Sequence, residues 1–189
     1  PTWAHRHAPE EPTPPRPLRP SRTEDEPTVA SPLSDDSDRF KRGRIFHALL
    51  QTLPDLPTDA RPTAMAAYLA ESAHNLTAAQ QSEIGGEVLA ILNHPDFAHL
   101  FGTGSRAEAP IVGDVGTFEP CVISGQMDRL LVTDTMVTIV DFKTNRPPPK
   151  EETGVAEVYL RQMAAYRTAL QQIYPDHEIL TVLVWTDGP

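Results

Sequence analysis

Apolar residues recur at helical spacing through the first half of the chain. Between residues 45 and 53 they return every three or four positions, and Pro54 ends the run. A second helix is predicted over 62–73, with Pro62 in its first turn. Thr77 is a suitable cap for a third helix over 77–93, and a short fourth helix follows over 97–101. The glycines at 102 and 104 then end the helical pattern.

The second half of the chain changes to β-branched and alternating residues. These predict strands over 105–112, 121–133, 136–143 and 179–185. A long amphipathic helix over 156–174 separates the last two strands. Helices, then three strands, then a helix and a strand predict an α/β fold, with a mixed central sheet flanked by helices.

The N-terminal segment differs in composition from this body. Nine of the 20 prolines fall within residues 1–38, together with many Ser, Glu and Asp residues. Such a segment buries too little apolar surface to offset its ordering entropy, so 1–38 is predicted to be a disordered linker. Residues 39–189 then form one domain. The chain lacks an initiator Met and stops after an apolar run, which indicates a fragment of a larger protein.

Net charge and cysteine content exclude several kinds of protein and of metal site. A net charge of −10 argues against a general nucleic-acid binder, although an acidic enzyme can still hold DNA along one channel. Cys121 is the only cysteine, which excludes an intramolecular disulfide, a four-cysteine zinc site and an iron–sulfur cluster. It fits a cytoplasmic location. No apolar run of membrane-spanning length and no signal-peptide pattern occur, so no membrane association is expected.

A hairpin is predicted around Asp134-Thr135. A two-residue loop there pairs Thr133 with Met136. Counting outward places four further pairs on one face: Val132–Val137, Leu130–Ile139, Asp128–Asp141 and Gln126–Lys143. A longer loop would break this register.

The predicted pair of carboxylates indicates a metal site. Asp128 and Asp141 would repel each other, and a divalent cation such as Mg²⁺ or Mn²⁺ would offset that repulsion. The cation could polarise a phosphodiester oxygen, while Lys143 orients a water or stabilises charge on the phosphate. The alternative is that Asp141-Phe142-Lys143 presents two solvated side chains on an ordinary strand.

Five segments together resemble one family. They are Gly43-Arg44-Ile45-Phe46-His47, Glu108, Gly125-Gln126-Met127-Asp128, Asp141-Phe142-Lys143-Thr144 and Gln162-Met163-Ala164-Ala165-Tyr166. In type and order they resemble the signatures of RecB-type nucleases of the PD-(D/E)-x-K superfamily, most closely the C-terminal nuclease domain of AddA-type helicase–nuclease subunits. The resemblance implies a restriction-endonuclease-like fold.

The resemblance also implies roles for the site residues. Asp128, Asp141 and His47 would bind Mg²⁺, and Lys143 would be the catalytic lysine. Gln162 and Tyr166 would complete the catalytic set at the rim of the site, and Glu108 is a further candidate. From the residues alone, the alternatives are a core or surface histidine for His47, a packing role for Tyr166 and a strand-edge charge for Glu108.

Basic residues cluster just before His47. They are Arg39, Lys41, Arg42 and Arg44. Such a cluster could contact DNA phosphates without reading base sequence. The alternative is a solvated helix start. Arg146 and Lys150, which follow the strand of Lys143, could flank the same path.

The predicted function is a metal-dependent DNA nuclease, expected to be an exonuclease. The resemblance implies cleavage of single-stranded DNA by a helicase–nuclease that acts in double-strand break repair and recombination. Its partners would be the helicase region of the same polypeptide and a second, AddB-like subunit. The alternative is an inactive DNA-binding or scaffold domain of the same fold. A RecB-type nuclease with an iron–sulfur cluster is excluded by the lone Cys121.

Overall fold

A computed structural model describes residues 36–115 and 121–186 together with Pro20, with side-chain detail for the two long ranges from Lys41 onward. The predicted linker over 1–38 therefore lies almost wholly outside the described residues. Its last three residues are an exception, because the first helix already begins at Asp36.

Four α-helices occur in the described residues: α1 (Asp36–Thr52), α2 (Arg61–Leu69), α3 (Ala78–Asn93) and α4 (Glu157–Ile173). Each was predicted, within a few residues, except that α1 begins nine residues before the apolar run. Thr77 caps α3 as expected, in a capping box with Gln80 that satisfies backbone donors of the first turn. The predicted short fourth helix is a 3₁₀ turn, Ala98–Phe101.

The described residues form a four-stranded sheet in the order β1-β2-β3-β4. The strands are β1 (Ser105–Asp114), β2 (Val122–Val132), β3 (Met136–Lys143) and β4 (Glu178–Trp185). The first three are antiparallel neighbours, and β4 runs parallel to β3. A parallel pair needs a crossover, and α4 supplies it. This confirms the predicted mixed sheet flanked by helices.

Helices cover both faces of the sheet. On one face α1, α2 and α3 pack with Leu131, Val140 and Phe142 around fully buried residues such as Phe46. On the other face α4 packs on the strands and forms what we call the α4-side cluster. Its buried members are Ala109, Ile111, Ile123, Met127, Leu130, Val137, Ile139, Met163, Tyr166, Ala169, Leu170 and Ile179. In the part of the chain that is described, no helix is long and apolar enough to cross a membrane.

The predicted hairpin register is confirmed over its first half. Thr133 donates its backbone N–H to the Met136 carbonyl at 2.9 Å, and Arg129–Val132 pair with Val137–Val140 as counted. Beyond Arg129 the pattern changes, because the Phe142 N–H donates to Asp128 Oδ2 at 2.7 Å instead of to a strand carbonyl. Next to Asp141, the side-chain oxygen of Asp128 thus takes the place of a backbone carbonyl as the acceptor that joins β2 to β3.

β2 also changes face at Asp128. Met127 packs in the α4-side cluster, whereas Arg129, two residues later, donates to the Leu50 carbonyl of α1 at 2.8 Å. Residues two apart on a regular strand share a face, so the strand must rotate between them. The prediction that Gln126 shares a face with Lys143 is therefore wrong. Gln126 is exposed, and its amide donates to the Glu108 carbonyl at 3.2 Å.

Candidate active site

Asp128 is the meeting point of α1, β2 and β3. Its Oδ1 lies 3.3 Å from His47 Nδ1, and its Oδ2 accepts the Phe142 N–H. Both oxygens are thereby oriented by groups from other elements. The aspartate is buried on most of its surface, with 15% of its side chain exposed, so one side of it still faces solvent.

His47, Glu108 and Asp128 come together as a candidate metal-binding group. Each offers one ligand atom, and these atoms lie within 4.8 Å of one another. The three residues come from α1, β1 and β2, which are far apart in sequence. The sequence prediction included His47 and Asp128 as ligands and Glu108 as a further candidate, and all three are brought to one place.

The backbone of Glu108 is left-handed, with φ of 51°. A non-glycine residue rarely adopts this conformation, which costs of the order of 1 kcal/mol and is often found at functional sites. Glu108 lies at the position of β1 opposite Asp128, where the regular pairing of Ala107 with Arg129 and Ala109 with Met127 is interrupted.

The charges of this group influence one another. Burial lowers the pKa of His47, but the hydrogen bond and negative charge of Asp128, with Asp141 and Glu108, more than offset this, so its pKa is raised above the usual 6.5. Burial and the charge of Asp128 raise the pKa of Glu108. Negative charge from Asp128 is therefore a common cause of the raised pKa values of His47 and Glu108.

Asp141 forms a second unit with Lys143 and Gln162. Lys143 Nζ lies 2.6 Å from Asp141 Oδ2 and donates to Gln162 Oε1 at 3.1 Å. The amide of Gln162 in turn donates to Asp141 Oδ1 at 3.0 Å. Burial, followed by the charge of Asp128, raises the pKa of Asp141, while Lys143 and His47 oppose that rise. The side-chain amide of Gln162 thus holds the Asp141 carboxylate and the Lys143 ammonium next to each other.

Tyr166 is placed differently from the expected rim position. It is completely buried in the α4-side cluster, and its hydroxyl donates to the Gln126 carbonyl at 3.2 Å. A Cβ atom on Gly125 would lie 2.6 Å from that hydroxyl oxygen. Tyr166 therefore holds β2 against α4, which matches the packing alternative for this residue. Gln162 is likewise buried and not at a rim.

Close contacts also hold α1 against the strands. A Cβ on Gly43 would lie 3.2 Å from Oγ1 of Thr144, the residue that directly follows β3, so α1 passes close to the end of that strand. Arg129 is a residue that sequence reasoning missed. Its guanidinium donates to the Leu50 carbonyl and to Ser105 Oγ, and it lies over the Phe101 ring. These contacts orient the helix that carries His47.

The basic cluster is divided by the fold. Arg42, which was predicted to contact DNA, pairs with Glu87 of α3 and lies over the Phe46 ring, so its guanidinium is engaged within the fold. Arg146 also pairs with Glu87, at 2.5 Å, and with Glu83, at 2.8 Å. Arg44 is exposed and Lys41 half-buried on α1. The side chain of Arg39 lies outside the described residues.

A comparison with known protein families identifies the family of this domain. Residues 22–185 match the family model of the PD-(D/E)XK nuclease superfamily. The chain belongs to the PD-(D/E)XK nuclease superfamily. In this nuclease domain, Asp141-Phe142-Lys143 lies at the end of β3, and the Asp128 carboxylate accepts a hydrogen bond from the Phe142 N–H.

This PD-(D/E)XK domain is similar to a curated protein and, more weakly, to a solved structure. It is 30% identical over 69 residues to an ATP-dependent helicase/nuclease of Oenococcus oeni (strain ATCC BAA-331 / PSU-1). That match takes in 36% of this chain and only 6% of the relative's length. The solved structure of SSO0001 is similar over 82% of this chain and 75% of its own, with a TM-score of 0.31 and 14% identity.

Proposed function

We propose that this domain is a metal-dependent deoxyribonuclease whose active site comprises His47, Glu108, Asp128, Asp141 and Lys143. The observation that carries the proposal is the convergence of His47, Glu108 and Asp128 within 4.8 Å, next to the ion pair of Asp141 with Lys143. A cluster of acceptors beside a buried carboxylate and a lysine is suited to holding a cation and a phosphodiester together.

The donor set fits a divalent cation. Carboxylate oxygens suit Mg²⁺ and Mn²⁺, and an imidazole nitrogen is compatible with the latter. The raised pKa values of Glu108 and Asp141, both partly due to the charge of Asp128, mark a place where added positive charge would be stabilising. We include Asp141 in the ligand set because a carboxylate oxygen has lone pairs beyond those used by Lys143 and Gln162. When bound, the metal would polarise the phosphate and activate a water.

Lys143, held in place by Gln162, would act on the reacting phosphate from the α4 side. The ammonium of Lys143 would stabilise charge that develops on the phosphate or orient the attacking water. Gln162 is a positioning residue in this proposal, because it holds Lys143 and Asp141 through its two amide atoms. Tyr166 would contribute through the placement of β2, without touching the substrate.

DNA would approach along the start of α1. Arg44 is exposed there, and Lys41 and Arg39 lie on the same helix. Contacts from such residues go to phosphates and position a strand without specifying its sequence. We include Lys150, which is exposed after β3, in this path, whereas Arg42 and Arg146 are engaged by acidic residues of α3.

We further propose that the domain belongs to an AddA-type helicase–nuclease and cuts single strands as an exonuclease during double-strand break repair and recombination. The partners would be its own helicase region and an AddB-like subunit, in the cytoplasm. The similarity to an ATP-dependent helicase/nuclease supports this context.

A cleavage assay separates this function from that of an inactive DNA-binding domain. The purified chain is incubated with end-labelled single- and double-stranded oligonucleotides, with Mg²⁺, with Mn²⁺ or with EDTA. We expect metal-dependent cleavage that Asp141→Ala and Lys143→Ala reduce at least a hundredfold. Asp134→Asn, a matched change in the exposed hairpin loop, should cleave normally. Binding without cleavage by the unmodified chain would favour the inactive domain.

A further inference from the structure

The first turn of α4 brings an aromatic ring against Lys143. Lys143 Nζ lies 4.1 Å from the centroid of the Tyr159 ring. Tyr159 precedes Gln162 by three residues, so both side chains leave the helix on the same face. The motif that contains Gln162 and Tyr166 does not include this tyrosine.

Tyr159 is buried at the start of α4. Its side chain is only 6% exposed. The other buried apolar residues of α4 belong to the α4-side cluster; they are Met163, Tyr166, Ala169 and Leu170. Tyr159 belongs to neither hydrophobic cluster of the described residues. The C-terminal part of α4 therefore packs on the core, while its first turn faces the lysine.

We propose that Tyr159 is a positioning residue for the Lys143 ammonium, an inference that rests on the catalytic role proposed above for Lys143. Two hydrogen-bonding directions of the ammonium are taken by Asp141 Oδ2 and Gln162 Oε1. The face of the Tyr159 ring provides a third, attractive surface through its quadrupole.

The physical reason is the flexibility of lysine. Its ammonium is a point charge on a four-carbon stem, and rotation of that stem would move it away from the reacting phosphate. The Lys143 side chain is only 13% exposed, so solvent weakens the attraction to the ring less than at an open surface. Holding the charge in place before substrate binds would favour the transition state and not ground-state binding.

A spectroscopic test reports the contact without requiring activity. The chain has three lysines, Lys41, Lys143 and Lys150, so ¹³C-lysine labelling gives a simple spectrum that Lys143→Met assigns. The Lys143 Hε resonances should lie upfield, because they sit over an aromatic ring. Tyr159→Leu should return them to the position of an ordinary lysine. Resonances that are not shifted in the unmodified chain would overturn the proposal.

A kinetic test separates ring electrostatics from packing. Tyr159→Phe should retain cleavage, and Tyr159→Leu should lower kcat roughly three- to thirtyfold with KM unchanged. Phenylalanines with one, two and three fluorines at 159 keep the ring shape but weaken its quadrupole, so log kcat should fall stepwise. Tyr174→Leu, the same change at the other end of α4, should leave kcat unaltered, and melting temperatures identify any unfolded variant.

The outcomes separate this inference from the proposed function. A flat fluorine series, or Tyr159→Leu with unmodified kcat, overturns the role of Tyr159 while the nuclease proposal stands. If the unmodified chain cuts no DNA with either metal, the nuclease proposal fails, and the upfield shift alone decides whether the ring holds the ammonium.

Discussion

Gly125 and Tyr166 are in a contact that no larger residue at 125 would permit. A Cβ on Gly125 would lie 2.6 Å from the Tyr166 hydroxyl oxygen and 2.8 Å from Cε1 of the ring. The tyrosine is fully buried, so it has little room to retreat. Two separate motifs, one on β2 and one on α4, are thereby joined by packing three residues before Asp128.

Gly125→Ala should therefore destabilise the domain. Forcing a methyl group into this contact is expected to cost about 1–3 kcal/mol of unfolding free energy, measured by urea denaturation. Gly86→Ala is the matched control. A Cβ there meets nothing within 4 Å, and the position is inside α3, so the change should stabilise the domain by about 0.4–1 kcal/mol. Equal effects at both sites would refute the packing account.

The left-handed backbone of Glu108 predicts that substitutions there can increase the stability of the domain while weakening metal binding. Glu108→Gly should be more stable than Glu108→Ala by about 1 kcal/mol, because only glycine adopts this φ without a penalty. Both variants, and Glu108→Gln, should bind Mn²⁺ several-fold more weakly in a calorimetric titration. Undiminished affinity in all three variants would remove Glu108 from the ligand set.

The divided basic cluster predicts opposite phenotypes for two neighbouring arginines. Arg44→Ala should weaken DNA binding and lower the slope of log affinity against log salt by about one, with no change in melting temperature. Arg42→Ala should lower the melting temperature instead, because it leaves Glu87 with one partner fewer and removes the stacking on Phe46. Loss of DNA affinity in a fully stable Arg42→Ala protein would contradict this division.

Protonation of His47 predicts how stability depends on pH in the metal-free protein. Since the folded-state pKa of His47 is raised, its contribution is complete below the ordinary value near 6.5 and is lost as the pH rises through the folded value. The raised pKa values of Asp141 and Glu108 act in the same direction at lower pH, because ionisation of these groups disfavours the fold.

Asp128→Asn tests this coupling. Without the carboxylate, burial dominates and the pKa of His47 should fall, as followed by its imidazole proton resonances in EDTA. The contribution of His47 should then change sign, so that unfolding free energy is lost as the pH falls below the ordinary pKa value instead of as the pH rises. An unchanged histidine titration would show that Asp128 does not hold the proton.

Local patterns predicted the elements and half of the hairpin register. Thr77 and Gln80 are near in sequence, so the cap of α3 could be anticipated, and a two-residue loop determines which residues pair. The rotation of β2 at Asp128 could not be anticipated in this way, because it depends on a hydrogen bond from Arg129 to the Leu50 carbonyl, 79 residues away. That rotation placed Gln126 on the face opposite the predicted one.

The rest of the site depends on contacts between distant elements. Arg42 was predicted to contact DNA because its pairing with Glu87, on another helix, is not visible in the local sequence. Tyr159 could have been suspected from its spacing to Gln162 on one helix face. Only the packed arrangement shows that its ring lies at the Lys143 ammonium.

We propose that His47, Glu108, Asp128 and Asp141 surround one divalent cation next to Lys143. Anomalous diffraction from crystals of this chain soaked in Mn²⁺ would locate that cation. We predict a single strong peak about 2.0–2.3 Å from a carboxylate oxygen of Asp128, with His47, Glu108 and Asp141 completing the protein ligands. No peak at Asp128 under saturating Mn²⁺, or a peak only at acidic residues elsewhere, would contradict the claim.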